Sequence, residues 1–257
     1  MDRGLVRNFS TYFNPLYAAT RHQRRFSYTI RYQVYAEELG WEPLNEKRLE
    51  RDECDDYAHH CLLEHKRTGD IAGCVRLVIP PAGNNHARLP FQLHDIDLIS
   101  TENLSRFTQG SVGEISRLAV PSCFRRRAHE AGKPFILDSH NPTLFTEEER
   151  RNFPNISIGL YLSAIAMVDI CNLDLVLVVM EPRLQRHLKR YGLQFQQIST
   201  PFELRGERAL YELPGSELTR HMNPQIRTLY DFIHDELENQ PWQRPMRSGD
   251  RQRNEPI

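Results

Sequence analysis

The run Leu173-Asp174-Leu175-Val176-Leu177-Val178-Val179-Met180 is apolar except for one aspartate and rich in valine. A strand of this kind has no solvated face, so it belongs in the middle of a sheet covered on both sides. Before it, Ile156, Leu160, Ala164, Met167, Val168 and Cys171 recur at helical spacing over residues 154–171. After it, Pro182 opens a second helix with Leu184, Leu188 and Tyr191 on its apolar face, and Gly192 closes it. Helix, covered strand and helix in succession point to an α/β (α+β) fold: a mixed sheet flanked by helices on both faces.

The rest of the chain extends this order. Residues 28–39 carry a helical stripe of Ile30, Val34 and Leu39, with Gly40 as its stop. Arg31 and Tyr35, four apart, share a face of that helix, and Trp41 follows its end. The charged segment 42–56 reads as a loop. Two apolar runs, 60–65 and 71–79, joined by Lys66-Arg67-Thr68-Gly69-Asp70, form a β-hairpin signal with Gly69 in the turn. Residues 83–110 are a polar connection with a short helical turn. Strands follow at 193–198 and 209–213, and a last helix at 224–237. Residues 1–240 make one domain. The long charged stretch 122–152 is an insertion: a lid, a partner surface or a disordered loop. The polar 241–257 tail is expected to be disordered.

Between the connection and the insertion lies Glu114-Ile115-Ser116-Arg117-Leu118-Ala119-Val120, a strand that stops at Pro121. Period-two alternation places Glu114, Ser116 and Leu118 on one face and Ile115, Arg117 and Ala119 on the other. A carboxylate at the head of an apolar strand is costly to bury unless it is paired or used. A strand-pinning ion pair and a catalytic group both fit that observation.

Bulk properties exclude several partners. Lysine plus arginine (33) nearly balances aspartate plus glutamate (34), so no global field suits nucleic acid or a membrane surface. The cysteines at 54, 61, 74, 123 and 171 are odd in number and hold no C-x-x-C pair, which fits a reducing cytoplasm better than a disulfide framework or structural zinc. The first residues lack the apolar core of a signal peptide. The apolar stretch 158–180 is broken by Asp169, Asn172 and Asp174, so a soluble, cytoplasmic protein without a transmembrane segment is expected. His59, His60 and His65 lack a metal-binding arrangement. Asp52, Glu53, Asp55 and Asp56 lack the glycine and distal glutamate of a calcium loop, so no metal is expected.

The chain resembles the GCN5-related N-acyltransferases (GNAT), in the branch with acyl-homoserine-lactone synthases and long-chain N-acyl amino acid synthases. It is most similar there to the PEP-CTERM/exosortase system-associated acyltransferases. The likeness spans about residues 9–234. It rests on Arg31-Tyr32-Gln33-Val34-Tyr35 leading to Gly40-Trp41, on Asp52-Glu53-Cys54-Asp55, on Gly73-Cys74-Val75-Arg76-Leu77 and on Glu114-Ile115-Ser116-Arg117. Met180-Glu181-Pro182 and Tyr191-Gly192-Leu193-Gln194-Phe195 complete it. The resemblance implies acceptor-binding roles for Arg31, Tyr35, Trp41, Asp52, Asp55 and Arg76, and it matches Glu114, Ser116 and Arg117 to the family's catalytic strand. Tyr35 departs from the phenylalanine usual in the lactone synthases, as does the 122–152 insertion. An exosortase association is implied by the resemblance alone.

The implied reaction needs an amine freed of its proton, which makes Glu114 the candidate general base, directly or through a water. Ser116 then positions the acceptor or a water. Backbone N–H groups at Leu118, Ala119 and Val120 are candidate oxyanion donors. Coenzyme A users of this fold place a Q/R-x-x-G-x-G/A loop after this strand; here Pro121-Ser122-Cys123-Phe124-Arg125-Arg126-Arg127 follows. An arginine cluster suits the single phosphate of a carrier-bound phosphopantetheine, so an acyl carrier protein is the expected donor and partner, docking at Arg125, Arg126 and Arg127. A solvated basic loop is the alternative. The reading is transfer of a long acyl chain to the amine of an amino acid or related metabolite, with no permanently bound cofactor. A lactone synthase using S-adenosylmethionine and a silent acyl-carrier-binding fold are the rivals.

Overall fold

The structure, a computed structural model, describes residues 4–99, 111–125 and 145–242. Its strands are β1 (Phe13–Tyr17), β2 (Ala58–His65), β3 (Ile71–Val78), β4 (Val112–Ala119), β5 (Leu175–Met180), β6 (Gln196–Gln197), β7 (Phe202–Glu203) and β8 (Glu207–Pro214). They form one sheet in the order β1-β2-β3-β4-β5-β8-β6, with β7 also on β8. Only β4 and β5 pair in parallel. That pair needs a crossover, which the helix Pro154–Ile170 supplies. β2 and β3 form the expected hairpin, with Gly69 at φ +74 in its turn. Pro15, which has no N–H to give a ladder, lies in the edge strand β1.

One face of the sheet packs its apolar residues, including Val75, Leu77 and Ile115, against the Pro154–Ile170 helix and against Leu229, Ile233 and Leu237 of the helix Pro224–Glu238. The opposite face is covered at one end by Val34 and Ile30 over Leu62, Cys74 and Ala119. At its other end Phe91 and Leu89 cover Val78 and Leu177. No helix among the described residues is long and apolar enough to cross a membrane.

Several elements differ from expectation. The first long helix starts at Arg21, seven residues early, because Thr20 and Gln23 cap it reciprocally although the first turns lack an apolar stripe. Beyond Tyr32 it widens into a π-helical turn, Gln33–Glu38, that ends at Gly40 (φ +64). The helix Gly4–Tyr12, with Leu5, Val6, Phe9 and Tyr12 at helical spacing, and β1 were not among the elements expected from sequence. The strand expected at 193–198 shrinks to β6. Trp242, expected in the tail, stacks on Tyr17 at 4.0 Å and donates to the Leu237 carbonyl; residues 243–257 lie outside the described residues. Of the 122–152 stretch, Ser122–Arg125 and Glu147–Asn152 are helical, and 126–144 lie outside the description.

Two irregularities in β4 shape everything that follows. Arg76 pairs with Ser116 but Cys74 pairs with Ala119, so Val75 of β3 opposes two residues of β4, Arg117 and Leu118. Arg117 absorbs this bulge at φ +53. The expected alternation therefore fails after Ser116: Arg117 reaches the same side as Ser116, and Ala119 joins Cys74. Second, β4–β5 pairing stops at Ile115–Val178 although both strands run on, so the two diverge. Gly73 lets β3 approach this bulge: an added Cβ would lie 2.9 Å from the Ala119 carbonyl and 2.7 Å from Leu160 Cδ1. Gly73→Ala is expected to cost about 1–3 kcal/mol by overpacking; an unchanged chemical-denaturation midpoint would show that the bulge tolerates the methyl.

Candidate active site

The bulged face of the sheet carries a buried charge network. Arg31, at the last turn of its helix, is fully buried. Its Nε donates to Glu50, and its Nη1 and Nη2 donate to the two oxygens of Asp55 at 2.7 and 3.0 Å. Burial pushes Asp55 toward its neutral form, but Arg31 and then Arg76 overcome this and hold it well below the usual carboxylate range. Asp52 and Asp55 are set by one 3₁₀ turn, Glu53–Tyr57: the Asp52 carboxylate accepts from the Cys54 N–H and the Asp55 carboxylate from the Asp52 N–H. A charged loop thus delivers two carboxylates in fixed positions.

Arg76 reaches both. Its Nη1 donates to Asp52 Oδ1 (2.6 Å) and Asp55 Oδ1 (2.9 Å), and its Nε to Ser116 Oγ (3.1 Å). Its buried Nη2 has no partner among the described residues, a donor that a water or ligand would satisfy. Because of the bulge, Arg117 joins from β4, with Nε 3.1 Å from Glu50 Oε1 and Nη2 3.3 Å from Asp52 Oδ2. Arg117 also lies over the Tyr35 ring at 5.9 Å. Tyr35 stacks on Trp41 (6.0 Å, 11° between planes) and donates its hydroxyl to the Leu118 carbonyl at 2.8 Å. Leu118, past the last β5 pair of β4, therefore lies beside these groups, with Ala119 and Val120 next in the chain.

Glu114 stands one pair before the strands diverge, opposite Val78 on one side and Leu177 on the other. It is 2% exposed. Burial pushes its carboxyl up to about 8, against the lowering effects of the Phe91 N–H, which donates to Oε2 at 2.8 Å, and of Arg76 and Arg117. Such a carboxyl can exchange a proton near neutral pH. His60, across from Arg76 on β2, is a core histidine: Nδ1 contacts Ser27 Oγ at 3.1 Å, and burial holds it neutral.

The structure thus assembles Arg31, Tyr35, Trp41, Asp52, Asp55, Arg76, Ser116 and Arg117 in one network that borders Glu114. Glu42, Glu50 and the Phe91 N–H were missed by sequence reading. The two glutamates look like any others in the charged 42–56 segment, and a backbone donor leaves no signal. Of the basic run, Arg125 forms an ion pair with Glu38, whose carboxylate also accepts the Ser122 N–H at 2.9 Å; Arg126 and Arg127 lie outside the described residues. Arg125 and Arg150 line a cavity of about 220 Å³ with Val120, Phe124, Phe153 and Ser157, at the start of the Pro154–Ile170 helix. Among the described residues the one group spaced to hold a metal is His234, Asp235 and Glu238, on the helix of the opposite sheet face.

A sheet that opens after its one parallel pair, crossed by a helix and carrying its polar network at the opening, can be compared with known folds. Residues 30–132 match the family described as "Acetyltransferase (GNAT) domain". The fold is GNAT-like. Solved structures share it at low identity. TofI, determined with an inhibitor and MTA, is 16% identical with a TM-score of 0.54, over 87% of this chain and 99% of that one. BjaI, a CoA-dependent acyl-homoserine lactone synthase with SAM and isopentyl-CoA, is 15% identical (TM-score 0.52; 86% and 89%). FeeM, an N-acyl amino acid synthase from uncultured soil microbes, is 12% identical (TM-score 0.50; 83% and 96%). No curated protein sequence matches this chain significantly.

Proposed function

We propose that this chain is an N-acyltransferase that moves a long acyl group from a phosphopantetheine thioester to the amine of an amino acid or related metabolite. The observation that carries the reading is Glu114: a buried carboxyl displaced to about 8, at the point where β4 and β5 part. Glu114 takes a proton from the acceptor ammonium, and the freed amine attacks the thioester carbonyl. As the C–N bond forms and the C–S bond breaks, the nitrogen loses a second proton and the departing thiolate gains one. In this reading the N–H groups of Leu118, Ala119 and Val120 stabilise the oxyanion. Asp52, partly open to solvent, favours a cationic acceptor next to Glu114, while Arg76 and Arg117 keep it fixed.

The donor's phosphate fits the cavity between Arg125 and Arg150, whose Val120, Phe124 and Phe153 walls suit the arm below it. An acyl carrier protein is the favoured donor, with acyl-coenzyme A as the alternative. Arg125→Glu or Arg150→Glu is expected to raise the donor KM about tenfold or more; an unchanged KM for both donors would remove this subsite. A lactone synthase is the second reading, supported by the shared fold of TofI and BjaI. Mass spectrometry of lipid extracts from cells expressing wild type or Glu114→Gln decides. N-acyl amino acids seen only with wild type are expected. Acyl lactones with methylthioadenosine release would move the assignment to the second reading, and extracts identical to those of empty cells would sink both.

A further inference from the structure

The opening of the charge network carries groups that the acyl transfer leaves unused. Between β7 and β8 the chain turns through Arg205 (φ +55) and Gly206 (φ +103), both left-handed. A non-glycine residue there is uncommon and persists when its surroundings impose it. Here Arg205 Nη2 donates to the Trp41 carbonyl at 2.7 Å and to Glu42 Oε1 at 2.9 Å. Its guanidinium carbon lies 5.6 Å from the Trp41 ring centre, and that of Arg208 lies 5.9 Å away. The turn is therefore seated on the segment that ends the Arg31–Tyr35 helix. Glu42 Oε1 also faces Arg117 Nη2 at 3.8 Å. One carboxylate oxygen thus stands between two guanidinium groups, both partly open to solvent (28% for Arg117, 35% for Arg205).

Arg31 and Arg76 face three carboxylates, Glu50, Asp52 and Asp55, with the buried Glu114 beside them. Arg117 faces Glu42, Glu50 and Asp52, Arg205 faces Glu42, and Arg208 faces Glu181. A buried carboxyl, Glu114, near two partly exposed guanidinium groups that flank Glu42 matches a molecule bearing an ammonium and a carboxylate a short distance apart.

We propose that Arg205, together with Arg117, selects the acceptor by binding its carboxylate, at the position where Glu42 now sits between them. Arg205 is a specificity-determining residue in this assignment, which rests on the acyl-transfer reading. The planar guanidinium fork makes paired bonds to a carboxylate that a carboxamide cannot reproduce. Losing a charged hydrogen bond of this kind corresponds to roughly a 10- to 100-fold change.

The test supplies purified full-length protein with a long-chain acyl-carrier protein and the matching acyl-coenzyme A. The acceptors are a pool of L-amino acids or the same amino acids as carboxamides. Wild type is expected to favour the acids by about 10- to 100-fold in kcat/KM. Arg205→Gln should bring that ratio close to one, and Arg205→Lys should keep part of it, because the cation remains. Equal use of acids and amides by wild type would overturn the proposal while leaving acyl transfer standing. An undiminished preference in Arg205→Gln would overturn the role of Arg205. No transfer to either pool by wild type would overturn the acyl-transfer reading and this assignment with it.

Discussion

Glu114→Gln is expected to lower acyl transfer about 100- to 10,000-fold, the usual contribution of a positioned general base, while making the protein more stable in alkali. Both effects follow from one raised pKa. A base works when ionised, so wild-type kcat/KM for the amine should climb with pH and level off above about 8. Stability runs the other way. The folded carboxyl is raised from its ordinary 4.5, so between about 4.5 and 8 the folded state holds a proton that the unfolded state has released. Stability therefore falls with rising pH across that window. Each unit of displacement corresponds to about 1.4 kcal/mol. Glutamine, which never ionises and can still accept the Phe91 N–H, removes that loss. Thermal melts at pH 5 and pH 9 check it: the variant should melt close to wild type at pH 5 and clearly above it at pH 9. A carboxylate held by ion pairs alone would give the opposite order.

The second large effect is expected at Asp55. Its carboxylate is fully buried and accepts from Arg31 twice, from Arg76 and from the Asp52 N–H. Removing one partner of a buried pair strands the other, typically at about 3–5 kcal/mol. Asp55→Ala strands two guanidiniums, so the upper part of that range applies. For a chain of this size the melting temperature should fall by roughly 8–20 °C. Because Asp55 is held below its ordinary pKa of 3.8, its contribution is present above that pH and disappears as pH falls through the folded value. Acid unfolding of wild type should therefore begin below about pH 4 through this group, and Asp55→Ala should lack that component. A melting point unchanged at pH 7 would mean that the network contributes position without stability.

Much of this was legible because it depends on period or on punctuation. The valine-rich β5, the Pro154–Ile170 helix and the Gly69 hairpin declare themselves in the chain, and the covered sheet follows from their order. The candidate site was legible through its motif residues. Arg31, Asp52, Asp55, Arg76 and Ser116 do meet, although 85 residues separate the first from the last. What stayed hidden was set by tertiary geometry. The β4 bulge turns Arg117 to the side of Ser116, and a period-two reading cannot foresee an extra residue. Glu42 and Glu50 become distinctive only when the 42–56 loop folds over Arg31. Arg205 is a turn residue whose meaning depends on where a hairpin lands. The Thr20 cap was written in the sequence, but an unpatterned, strongly polar first turn concealed it.

The most direct test of the central claim is kcat/KM for the amine with purified wild type from pH 6 to pH 9.5, at saturating acyl donor, beside Glu114→Gln. The Glu114 assignment predicts that log kcat/KM rises with unit slope and levels off near pH 8 in wild type, and that this limb is absent in the variant. A flat wild-type profile, or the same limb in both proteins, would contradict Glu114 as the base.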